Sequence, residues 1–203
     1  MADAIGGWRG ALESAIPTVV FVLMVTIDRH EVRRAAVIAV IAAVVLAVVR
    51  LTRGQTIRYV AGGLAGVALA AFVAERTGRA ENFFLPGLLL NAGWAAVFAI
   101  SVLARRPLVG YLAAGLTGRE VFGSWRHEPA ARIPAARATW VFVALFVSRL
   151  AVQIPLYLGG ALVALGTAKV AMGVPLTAVG VWIAWLLMRQ SPLVTGPRPT
   201  RTP

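Results

Sequence analysis

Arg149 is the residue of this 203-residue chain best placed to do chemistry. It stands near the middle of a largely apolar run, Ala138 to Leu158. A charge at that depth in a bilayer costs about 3 kcal/mol or more, so it turns toward the interior of a helix bundle and takes a partner. Gln153 follows one helical turn later on the same face. Asn91 reaches a comparable depth from another apolar run, and Glu13, just inside the first run, is the nearest acid in the cytoplasmic half. Arg149, Gln153, Asn91 and Glu13 therefore make a candidate intramembrane polar cluster. Such a cluster either ties helices together or lines a path for an ion or small solute.

A second group is basic. Arg105, Arg106, Arg119 and Arg126 flank a short amphipathic stretch, Pro107 to Thr117, in which Leu108, Val109, Leu112 and Leu116 recur at helical spacing. This is the pattern of a helix lying in the membrane interface. Arginines there are candidate contacts for anionic lipid headgroups, at about 1 kcal/mol each. The same charges also set topology, and the two roles are compatible.

Other chemistry is not supported. There is no Cys, which removes disulfides, thiolate metal sites and cysteine nucleophiles. Asp28, Glu31, Glu75, Glu81, Glu120 and Glu128 fall at the ends of apolar runs, as solvated acids do. His30 and His127 belong to opposite membrane faces in the topology derived below, so one chain cannot bring them to a shared metal. Ser14, Ser101, Ser124 and Ser148 lack a G-x-S-x-G setting, and no GxxxxGK[ST] loop occurs. The expectation is a protein that is not an enzyme, with no catalytic, metal or cofactor-binding set.

The elements that must position these residues are membrane spans. The chain is 59% hydrophobic and 14% charged, against about 25% charged for an average soluble domain. The apolar residues come in blocks, expected as spans at about 11–27, 35–49, 57–74, 83–103, 138–158 and 170–188. The first is short for a full crossing. No small-x-small cleavage site follows it, so it is read as retained rather than as a signal peptide. The fold class is all-α: a polytopic bundle of six transmembrane helices, the first either a full or a partial span, with an interfacial helix at about 107–117 between the fourth and fifth. Residues 1–10 form a lead, 11–190 a single membrane domain, and 191–203 a Pro-rich tail expected to be disordered. Lys169, the sole Lys, marks a tight turn before the last span. Small residues every fourth position, Ala35, Ala39, Ala43 and Ala47, then Gly62, Gly66, Ala70 and Ala74, predict a close hairpin of the second and third spans.

The net charge of +12 would suggest nucleic acid in a soluble protein. Here the basic residues lie between apolar blocks, and topology accounts for them. Six spans put thirteen Lys and Arg on the face carrying both termini and six on the other, with Arg149 inside the membrane. Both termini are therefore expected in the cytoplasm of a multi-pass cell-membrane protein. The expected partners are the bilayer, anionic lipids included, and membrane proteins or a second copy of the chain.

The segments TGRAENFFLPGLLLNA, RRPLVGYLAAGLTG, SWRHEP and ATWVFVALFVSRLAVQIPLYL together resemble a family of actinobacterial membrane proteins catalogued as domain of unknown function 3159. The resemblance runs from about Gly6 to Ser191. A fainter similarity is to intracellular septation protein A: Pro86 and Asn91 in one span, then Arg105 to Leu108, then a span led by Trp140 with polar Gln153. It implies a role in the cell envelope and division. The longer Arg-rich loops and the Pro-rich tail of this chain depart from that pattern. Neither family supplies a catalytic residue to carry over. The leading expectation is a non-enzymatic envelope or septation-related membrane protein; the alternative is a small channel or transporter built on the Arg149 cluster.

Overall fold

The computed structural model describes residues 13–28, 31–118 and 123–195, and among them the regular structure is entirely helical. The helices are α1 (Ile16–Ile27), α2 (Val32–Thr52), α3 (Ile57–Thr77), α4 (Leu85–Leu103), α5 (Leu108–Leu116), α6 (Pro129–Leu158), α7 (Leu162–Ala171), α8 (Val174–Met188) and α9 (Pro192–Thr195). Short 3-10 turns precede α4 (Ala80–Phe84) and α6 (Ser124–His127).

Five helical stretches are long and apolar enough to cross a membrane: Val32–Thr52, Val60–Thr77, Ala80–Leu103, Pro129–Leu158 and Leu162–Met188. The apolar α1 has 12 residues and is about 18 Å long, well short of a roughly 30 Å hydrocarbon core. Large apolar side chains point outward, among them Val45, Leu89, Leu90, Ile100 and Trp182, while the buried positions are heavily alanine. Water would make that arrangement unstable; lipid makes it the ordinary one. The chain is a polytopic membrane helix bundle.

The chain divides into two compact units, residues 1–90 with 151–174 and residues 91–150 with 175–203. In the first, α2 packs against both α1 and α3, and α1 against α7. Ala35, Ala39, Ala43 and Ala47 are all buried, as the hairpin reading requires. On α3 the stripe holds only at Ala70 and Ala74; Gly62 and Gly66 face outward. A four-residue step turns a helix by about 40°, so three steps carry Gly62 roughly a third of a turn from Ala74. On α2 the same drift is tolerated because two neighbours cover a wider face. The core of this unit centres on Phe21, Phe83, Phe84 and Leu165, with the Phe21 and Phe83 rings stacked at 4.0 Å. Ion pairs close both ends of the α2–α3 region. Arg33 meets Glu75, and Arg34 meets Asp28 and Glu31, at one end; Arg50 and Arg53 meet Glu13 at the other.

The second unit is built around Phe98, Trp125, Ala131, Ala135, Ala138 and Leu193. The expected interfacial helix is α5, which buries Val109, Gly110 and Ala114 and leaves Leu112 and Leu116 outward. Its approach to the chain behind it depends on Gly110, where a Cβ would lie 2.5 Å from the Trp125 ring.

Three boundaries differ from the sequence reading. The helix of the fifth span begins at Pro129 rather than near Ala138, because a helix extending past the hydrocarbon core has no need to be apolar. The last span begins at Leu162, broken briefly between α7 and α8, so Lys169 lies in the last turn of α7 rather than in a turn. The reversal falls instead at Gly159–Gly160, where Gly160 takes φ 66°. The expected disordered tail starts with α9, which packs against α5 and buries Leu193 completely.

Candidate functional site

The four residues of the expected intramembrane cluster have the following settings. Arg149, half-buried on α6, donates from a terminal guanidinium nitrogen to the Thr177 hydroxyl of α8 at 2.7 Å. Its guanidinium carbon lies 5.8 Å from the centre of the Phe146 ring, one turn earlier on its own helix. A charged donor on a hydroxyl and an aromatic face is a sound way to hold a cation in low dielectric. Asn91, in the same unit, is half-buried on α4. The other two residues belong to the first unit. Gln153 is buried on α6. The Glu13 carboxylate, expected near Arg149, is held by Arg53 at 2.7 Å and Arg50 at 3.6 Å, with Arg50 also donating to the Ser14 hydroxyl. Glu13 thus ties the start of the described chain to the end of α2, which is a fastening role.

Two polar features of the first unit escaped the sequence reading. The Lys169 ammonium lies 5.0 Å from the centre of the Phe84 ring and 5.6 Å from that of Phe83. The ammonium also lies beside Gly87 of α4, where a Cβ would stand 3.9 Å from the nitrogen, an ordinary contact distance. The Tyr157 hydroxyl donates to the side-chain oxygen of Asn82, which is buried. Aromatic and polar residues at the mouth of a span were the only available signal, and it reads equally well as an interface belt.

The basic group is also rearranged. Arg119 lies outside the described residues, as does the side chain of Arg126. Arg106 is exposed. Arg105 joins two arginines, Arg132 and Arg137, that lie in the connection before the fifth apolar run. The early start of α6 places Arg132, Ile133, Ala136, Arg137 and Trp140 along one face, and these side chains with Val102, Arg105 and Pro107 line a half-open cavity of about 420 Å³. All of these residues belong to the second unit.

The backbone at Arg105 is unusual. The Arg105 N–H donates to the Val102 carbonyl and the Arg106 N–H to the Ser101 carbonyl, closing the end of α4 as a Schellman motif. That motif needs a left-handed residue, normally Gly; Arg105 supplies it at φ 58°, the one positive φ outside glycine among the described residues. Pro107 follows and ends the helix.

The chain matches the model of a family described as a protein of unknown function (DUF3159) over residues 5–194. No curated protein matches it, and no solved structure does.

Proposed function

The chain belongs to the DUF3159 family, and from its site geometry we propose a non-enzymatic role in the cell envelope. It resides in the plasma membrane of an actinobacterial cell with both termini in the cytoplasm. There it organises the envelope or division septum through contacts with lipids, other membrane proteins or a second copy of itself. The observation that carries this reading is the Arg149–Thr177 hydrogen bond, in which the charge of the sixth helix binds it to the eighth. The ion pairs of Glu13 with Arg50 and Arg53 are of the same kind. The likeness to septation protein A at Pro86, Asn91, Arg105 to Leu108, Trp140 and Gln153 supports the envelope assignment, and, with α1 counted as a sixth crossing, the excess of Arg on the face with both termini supports the orientation.

The test is flux. Purified protein in liposomes is assayed for passage of ions and small solutes, with wild type beside Arg149→Ala, and each preparation is checked for folding by thermal unfolding. Under this proposal neither leaks specifically, and Arg149→Ala is less stable. Specific flux by the wild type that a folded Arg149→Ala loses would replace it with the channel or transporter reading.

A further inference from the structure

We propose that the cavity lined by Arg105, Arg132, Arg137 and Trp140 binds a phosphate ester, the headgroup of an anionic phospholipid. Three guanidinium-bearing residues share one recess of about 420 Å³, and among the described residues none of the three is ion-paired. Guanidinium is the side-chain group that meets phosphate oxygens in a bidentate way. The recess falls within the size range of small-ligand sites, roughly 300–1,000 Å³. Like charges gathered around a common space repel one another unless an anion joins them.

Depth selects the source of the phosphate. Arg105 stands two residues beyond Leu103, the last residue of α4, and Arg132 and Arg137 precede the apolar stretch of α6 that opens at Ala138. The three charges therefore sit just outside the hydrocarbon layer, at the level of lipid headgroups, with Trp140 as an interfacial aromatic. Val102, Pro107, Ile133 and Ala136 give the recess apolar walls that suit a glycerol backbone and the first carbons of its chains.

The backbone supplies an independent observation. Glycine would close α4 without strain, yet the left-handed position carries Arg105. A non-glycine residue in this conformation is energetically costly, and such residues cluster at functional sites. The left-handed turn carries Arg105, which lines the recess together with the α6 residues.

The experiment uses full-length protein in nanodiscs containing phosphatidylglycerol and phosphatidylcholine, then extracted into detergent and analysed for retained lipid by native mass spectrometry. Wild type is compared with Arg132→Gln/Arg137→Gln, with Arg105→Gly, and with Arg58→Gln/Arg76→Gln, which removes two exposed arginines that do not line the recess. Thermal unfolding verifies that each variant is folded. The expected result is selective retention of phosphatidylglycerol by wild type and the control. Each lining arginine removed lowers retention about fivefold, the ratio equivalent to about 1 kcal/mol per basic residue. Equal retention of the two lipids by wild type overturns the proposal, as does equal loss in the control and lining variants. A parallel arm offers glycerol 3-phosphate to delipidated protein. Arginine-dependent binding there as strong as that of the lipid overturns the lipid source and leaves a free phosphate ester as the ligand. Weaker binding supports the lipid.

Discussion

The Lys169 ammonium rests 5.0 Å from the centre of the Phe84 ring, inside a stretch long and apolar enough to cross a membrane. The lysine Cα–Cβ bond leans toward the N-terminus of α7, so its four-carbon stem carries the charge toward the Gly160 end of the span. Ring faces offer negative potential there without a second ion. The contact is testable by a double-mutant cycle of Lys169→Met and Phe84→Leu, read by unfolding in detergent. A coupling energy of about 0.5–2 kcal/mol is expected. Strict additivity would mean that the ring and the charge are neighbours without being partners.

Tyr157→Phe removes a hydroxyl and leaves the buried Asn82 oxygen without its donor. The expected destabilisation is about 1–3 kcal/mol. Replacing both residues with apolar ones of similar shape should recover much of the loss, since neither group is then left unsatisfied. A Tyr157→Phe protein that unfolds at the wild-type temperature would show that the bond contributes nothing net.

Gly110→Ala forces a methyl group to within 2.5 and 2.7 Å of Trp125 ring atoms and 3.0 Å of the Ala135 Cβ. Overpacking of this kind costs about 1–3 kcal/mol. Trimming the obstruction with Trp125→Leu in the Gly110→Ala background should restore part of the stability lost through the added methyl. If Gly110→Ala alone is as stable as wild type, α5 does not press on Trp125 as closely as the structure places it.

Arg105→Gly should move two measurements in opposite directions. Glycine removes the cost of a left-handed backbone, so unfolding stability rises by about 1 kcal/mol. The same change deletes a guanidinium from the recess, so retention of anionic lipid falls. A variant less stable than wild type would show that the Arg105 side chain holds the fold rather than a ligand.

Much of this was legible in the sequence. Blocks such as Ala35 to Val49 and Phe83 to Leu103 read as spans because hydropathy is a local property, summed over adjacent residues whatever their neighbours in space. Short-range spacing likewise gave the amphipathic α5 and the alanine face of α2. The family resemblance from Gly6 to Ser191 rested on local segments too, and the matched range is residues 5–194.

Tertiary structure decided which polar groups meet. The Arg149–Thr177 pair is separated by 28 residues, and the Tyr157–Asn82 pair by 75. Such pairings depend on the rotation of each helix about its axis and on where its ends fall, and a composition window contains neither. Starting α6 at Pro129 converts Arg132 and Arg137 from loop charges into one wall of a recess. Starting the last span at Leu162 moves Lys169 from a turn into a helix. A charge just beyond an apolar block looks the same in sequence whether its backbone is coiled or helical, and only packing against the neighbouring chain fixes the difference.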